Sequence, residues 1–126
     1  MSKKIISTTN APAAIGPYSQ AILAGNTLYC SGQIAINPAT GQLVLDSIAA
    51  ETHQVMSNIK AVLATADMDL SNVVKCSIFM SSMDYYGEIN TVYAEYFNEN
   101  PPAREAVAVK TLPKEVNVEI SVIAVK

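Results

Sequence analysis

From Ile48 onward Thr52, Val55, Met56, Ile59, Val62, Leu63 and Ala66 recur at three- and four-residue intervals. That spacing predicts one long amphipathic helix with Asp46 as its N-cap. A second helix is expected after Asp84, again read as a cap, with Tyr85, Ile89, Val92, Tyr93, Tyr96 and Phe97 as its stripe. Its tyrosines are packing residues whose hydroxyls reach the rim. Elsewhere the pattern alternates every second residue. Val73 to Met80 reads as a strand, and so do Glu105 to Lys110 and Val116 to Val125, parted by a break at Leu112-Pro113-Lys114 where proline cannot donate to a ladder.

Before the first helix, Lys4 to Thr8 has the composition of a short edge strand. Ala11 to Pro17 carries two prolines and a glycine, which favour a fixed, extended or turning path over regular pairing. Ser19 to Ala24 and Thr27 to Ile34 flank Gly25-Asn26, a spacing that suits a tight hairpin. Asn37 to Gly41 makes a turn before the short apolar stretch Leu43 to Leu45. The order is strand, hairpin, helix, strand, helix, then two strands. This is an α+β fold in one domain, residues 1–126, with a mixed sheet and both helices on one face.

Composition changes the picture in one respect. Hydrophobic residues make up 50% of the 126 positions and charged ones 15%, more apolar surface than a small monomer hides easily, so a homo-oligomer is expected. A net charge of −3, a pI near 5.0 and a single basic cluster, Lys3-Lys4, argue against a nucleic-acid partner. No apolar run reaches the length of a membrane helix and Met1 to Asn10 has no signal-peptide core, so a cytoplasmic protein is the expectation. Cys30 and Cys76 lie far apart within strands and read as small buried hydrophobes.

The familiar catalytic constellations are missing. His53 is the one histidine, on the polar edge of the first helix beside Lys60, and reads as a surface residue. Asp67, Asp69 and Asp84 lack the spacing of a calcium loop, so no metal is expected. With neither a GxGxxG nor a Walker loop, no nucleotide cofactor is expected and the chemistry must proceed without one.

What remains is a pair of charges at strand positions. Arg104 stands where a strand leaves Pro101-Pro102, and Glu119 interrupts a strand that is otherwise Val, Ile and Ala apart from Asn117 and Ser121. Each needs water or a partner, so the two are either a structural ion pair, residues of a solvated face, or a site. Tyr18, after Gly16-Pro17, is a packed tyrosine or a site wall. Ser31 and Gly32 end the hairpin's second strand, where a glycine marks either a bulge or a close approach.

The segments PAAIGPYSQA, YCSGQI, PPAR and LPKEVNVEISVIAV together resemble the reactive-intermediate deaminase family, RidA or YjgF, over almost the whole chain. The resemblance implies a chorismate-mutase-like fold and a homotrimer with sites between subunits. It also implies hydrolysis of enamines or imines such as 2-aminoacrylate and 2-iminobutyrate to 2-oxo acids and ammonia. Arg104 would grip the substrate carboxylate, Glu119 would position or protonate through a water, and Tyr18 would wall the substrate, with Ser31 and Gly32 offering backbone groups. The chain departs from many relatives in carrying Glu105 and Ala106 where they have Ser and Cys, and Ser121 where they have a second acid; the Asn98-to-Pro102 loop is shorter than in some. The rivals are a non-catalytic binder of small carboxylates on the same fold, and a chaperone or translation-inhibiting ribonuclease.

Overall fold

The computed structural model describes residues 2–126. Its strands are β1 (Lys3–Ile6), β2 (Ala21–Ala24), β3 (Thr27–Gln33), β4 (Val73–Met80), β5 (Ala103–Ala108) and β6 (Val118–Val125), and its helices α1 (Ile48–Thr65) and α2 (Tyr86–Tyr96). The strands form one sheet in the order β1-β2-β3-β6-β4-β5. Every neighbouring pair is antiparallel except β4 and β5. A parallel pair needs a crossover, and α2 is that crossover. The expected mixed sheet with both helices on one face is present.

Alternation along the central strands decides what each face carries. On β6 Val118, Ile120, Val122 and Ala124 are buried, and on β4 Cys76, Ile78 and Met80 join them. Against this face α1 lays Val55, Met56, Ile59, Val62 and Leu63, all fully buried. Among the described residues the other face has no covering layer. Across it Ile5, Ile22, Tyr29 and Ile123 stand in register on four strands, and Ile5 and Tyr29 are 62% and 52% exposed.

The helix caps differ from the sequence expectation by small shifts. Ser47, not Asp46, caps α1: its hydroxyl accepts from the Ala50 amide at 3.0 Å, because the helix starts at Ile48 and a cap must sit immediately before it. Asp84 caps nothing. Its own N–H donates to the Ser82 hydroxyl at 3.1 Å, opening a tight turn over Met83–Tyr85 that runs on into α2. His53 is half-buried rather than a plain surface residue, with Nδ1 2.7 Å from the Tyr96 hydroxyl. Tyr93 also departs from expectation, since its hydroxyl is buried without a hydrogen-bond partner instead of reaching the rim. Both cysteines are buried as expected.

One buried charge holds the sheet to the first helix. Glu51, in the first turn of α1, is fully buried. Its carboxylate accepts from the Asn117 amide (2.7 Å), the Asn117 side chain (2.9 Å) and the Val118 amide (3.1 Å). Three donors and the positive end of a helix replace the water such a group loses. The start of β6, and with it Glu119, is fixed from behind.

Candidate functional site

On the uncovered face, a pocket of about 560 Å³ lies between the N-terminal loop, the end of β3 and the turn before β6, lined by Tyr18, Ser31, Gly32, Lys114 and Glu119 with Ile15, Ile34 and Ile36. The loop that forms one wall is shaped by a side chain. Gln20, buried, donates from Nε2 to the carbonyls of Thr8 (3.0 Å) and Pro12 (2.7 Å) while its Oε1 accepts from the Thr8 amide (2.7 Å). These bonds supply the partners that prolines and an irregular path leave wanting. Beyond them the Tyr18 amide donates to the Gly16 carbonyl at 2.9 Å, a turn that needs Gly16 at φ 124° and leaves Tyr18 53% exposed at the pocket.

Across the pocket, β3 bulges against β6 between Cys30 and Gln33. Both sequence readings of Gly32 therefore hold at once, but the close approach is to Glu119. A Cβ added at Gly32 would overlap the Glu119 Oε2 atom and stand 2.8 Å from its Cδ. Ser31 points its hydroxyl to the Ser19 carbonyl (2.6 Å), and its amide donates to the Gln20 carbonyl (2.9 Å), so it ties the pocket's floor to the N-terminal loop. Glu119 is half-buried, and burial alone raises its pKa above the ordinary 4.5. Such a carboxylate holds a proton more readily than one in water and can exchange it with a bound molecule. Cys30 offers no nucleophile, because burial pushes its thiol up to about 12.

Arg104 is elsewhere in the chain. It lies on the edge strand β5 beside Cys76 of β4, on the helix side of the sheet. Its guanidinium donates to Asn90 Oδ1 (2.7 Å) and the Tyr86 hydroxyl (2.8 Å), and stands 5.1 Å from the Tyr93 ring centroid. A shallower recess of about 330 Å³ opens there, bounded by Asn90, Phe97 and Pro102 as well. Two hydrogen bonds and an aromatic platform fix the plane of the fork and leave N–H groups to bind a carboxylate. Four of the five candidate residues thus share one pocket, and Arg104 sits on the opposite face. Arg104 and Glu119 are not an ion pair within the chain; among the described residues the one such pair is Lys75 with Glu105, 2.9 Å apart.

Sequence reading had no place for Gln20, Tyr86, Asn90 or Lys114. A signal existed for two of them: Tyr86 and Asn90 fall on the same side of α2 as Tyr93 and Phe97, so polar groups appear within a packing stripe. Among the described residues no group of three His, Cys, Asp or Glu side chains is arranged to hold a metal ion. None of the described helices is long and apolar enough to cross a membrane.

Comparison with known proteins covers the whole fold. The family described as endoribonuclease L-PSP matches residues 8–126. A RutC family protein of Pyrococcus horikoshii is 51% identical over 124 residues, 98% of each chain. The 2-iminobutanoate/2-iminopropanoate deaminase of Bos taurus is 48% identical over 124 residues, 98% of this chain and 90% of that one. A solved structure from Yersinia pestis, YyfA of the conserved Rid protein family and of unknown function, superposes with a TM-score of 0.96 at 48% identity, covering 99% of this chain and 100% of that one.

Proposed function

The chain belongs to the endoribonuclease L-PSP family, that of the RidA/YjgF proteins, and from that membership we propose that it is a 2-iminobutanoate/2-iminopropanoate deaminase. The reaction adds water to the C=N carbon of a 2-imino acid and releases ammonia, leaving a 2-oxo acid. The single observation that carries this reading is the pairing of a half-buried, proton-avid Glu119 with Tyr18, Ser31 and Gly32 in one pocket, on a chain 48% identical to a protein of that name.

The chemistry follows from the two separate faces. The Arg104 fork holds the substrate carboxylate bidentately and so fixes the imine carbon. Glu119 takes a proton from the attacking water and returns it to the departing amine. Since the two groups lie on opposite faces of one sheet, a site containing both is completed by a second copy, whose β5 edge brings its arginine to the Glu119 pocket. The apolar row Ile5, Ile22, Tyr29 and Ile123, exposed at Ile5 and Tyr29 and half-buried at the other two, supports a homo-oligomer assembled through that face, a trimer in our reading. The ribonuclease in the family's description is not favoured here, because a net charge of −3 gives a polyanion little to hold.

The test couples a threonine dehydratase to the protein and follows the lag before 2-oxobutanoate appears. Wild type shortens the lag, whereas Arg104→Ala and Glu119→Gln do not. Co-refolding the two variants in equal amounts restores function to about a quarter of the sites if each is shared by neighbouring copies of a trimer. Equal lags with and without wild type would reject the activity, and no recovery in the mixture would reject the shared site.

A further inference from the structure

Of the charged residues lining the 560 Å³ pocket, Glu119 is one and Lys114 is the other. Lys114 is presented in an unusual way. It has φ 55° and ψ 20°, and Glu115 after it also has φ 55°, so two successive side-chain-bearing residues lie in the left-handed region where L-residues are strained. The turn is pinned on both sides. Leu112 and Val116 are buried, Pro113 fixes its own φ, and the Glu115 amide closes onto the Leu112 carbonyl at 2.9 Å. Strain of this kind persists where the surroundings over-determine the backbone, and it clusters at ligand clamps.

The lysine is also not engaged with the chain's own acids. The ion pair formed among the described residues is Lys75 with Glu105, and the Glu119 shift has burial as its cause, with no contribution from a neighbouring cation. Lys114 therefore borders the pocket as an exposed side chain with no ion-pair partner among the described residues. The pocket also has room beyond a methyl or ethyl side chain, since cavities of about 300–1,000 Å³ bury drug-sized ligands.

Resting on the deaminase reading, we propose that Lys114 is a specificity-determining residue that suits this pocket to 2-imino acids bearing a second carboxylate, those derived from dicarboxylic amino acids. The substrate's own carboxylate is held by the Arg104 fork and its imine faces Glu119, which leaves Lys114 to meet an anionic group at the end of the side chain. A lysine contributes there as a point charge on a flexible stem and needs no bidentate geometry. Substrates ending in a methyl group meet only the apolar walls, Ile15, Ile34 and Ile36.

The test uses two substrates with the same four-carbon chain, 2-iminobutanedioate and 2-iminobutanoate, each generated in place by an amino-acid oxidase. In Lys114→Met the ratio of kcat/KM for the dioate over the monoate falls roughly tenfold, and Lys114→Arg restores most of it. Calorimetric binding of 2-oxobutanedioate and 2-oxobutanoate shows the same change in ratio and requires no turnover. An unchanged ratio in both measurements overturns the role of Lys114. If wild type turns over neither imine yet the binding ratio still depends on Lys114, the deaminase reading falls and the specificity assignment stands.

Discussion

Two glutamates reach β6 from opposite sides, and their surroundings separate structural from chemical duty. Glu51 comes from the helix side, is fully buried, and is satisfied by three N–H donors from Asn117 and Val118. Glu119, one residue further on, points to the open face, where burial without a compensating bond raises its pKa. A fully buried carboxylate with both oxygens engaged by N–H donors has nothing to offer a substrate. One that is partly desolvated and left unengaged is poised to trade a proton with whatever enters the pocket.

The sharpest break between them is in stability. Glu51→Ala strands two backbone amides and a side-chain amide in the interior, at about 1–3 kcal/mol for each unsatisfied donor. Urea denaturation should show a loss of about 3 kcal/mol or more, a large share of the roughly 5–15 kcal/mol that holds a domain of this size. Undiminished stability in Glu51→Ala would mean that Glu51 has no structural duty separating it from Glu119.

Glu119→Gln is the converse, costing turnover but not fold. Loss of the proton-transferring group lowers kcat by about 100-fold or more, and a non-catalytic carboxylate binder would show ligand affinity as its only activity. The pH dependence follows from the sign of the shift. Because the folded pKa lies above 4.5, the native state binds the proton more tightly than the unfolded chain. Wild type is therefore relatively most stable below that value and loses the advantage as pH rises through the folded pKa. Glutamine has no such penalty, so the variant is at least as stable as wild type at neutral pH. Over the same window kcat/KM of wild type rises as the carboxylate forms, and a profile flat across it would contradict the role of base.

How much of this was legible beforehand depends on whether the signal is periodic. The stripe of α1 and the alternation of β4 and β6 were readable because burial repeats with the geometry of the element. The family motifs singled out Tyr18, Ser31, Gly32, Arg104 and Glu119, but no spacing told which face Arg104 would occupy. That depends on the parallel register Cys76 to Arg104 across a helical crossover. Gln20, Glu51 and Asn90 act through side-chain bonds to partners 8 to 67 positions away, and pairings of that range leave no pattern in a single sequence. The choice of Ser47 over Asp46 turned on where the helix begins, which two adjacent capping residues cannot decide.

The finest test of the contrast leaves both glutamates in place and alters the space beside one. Gly32 does not occupy the left-handed region, so its backbone would accept alanine, and what the absent side chain provides is room. An added methyl would collide with the Glu119 carboxylate, the far end of a flexible side chain, which can swing aside at little cost to the fold. Gly32→Ala should then hold its stability or gain up to about 0.4–1 kcal/mol, because alanine restricts the unfolded chain. Its turnover should fall by roughly tenfold, since a displaced carboxylate no longer meets the water in line with the imine. Thermal denaturation alongside kcat measures both. If turnover and stability fell together, Gly32 would be a packing position of the bulge, and the open-face glutamate would be no more sensitive to its surroundings than the buried one.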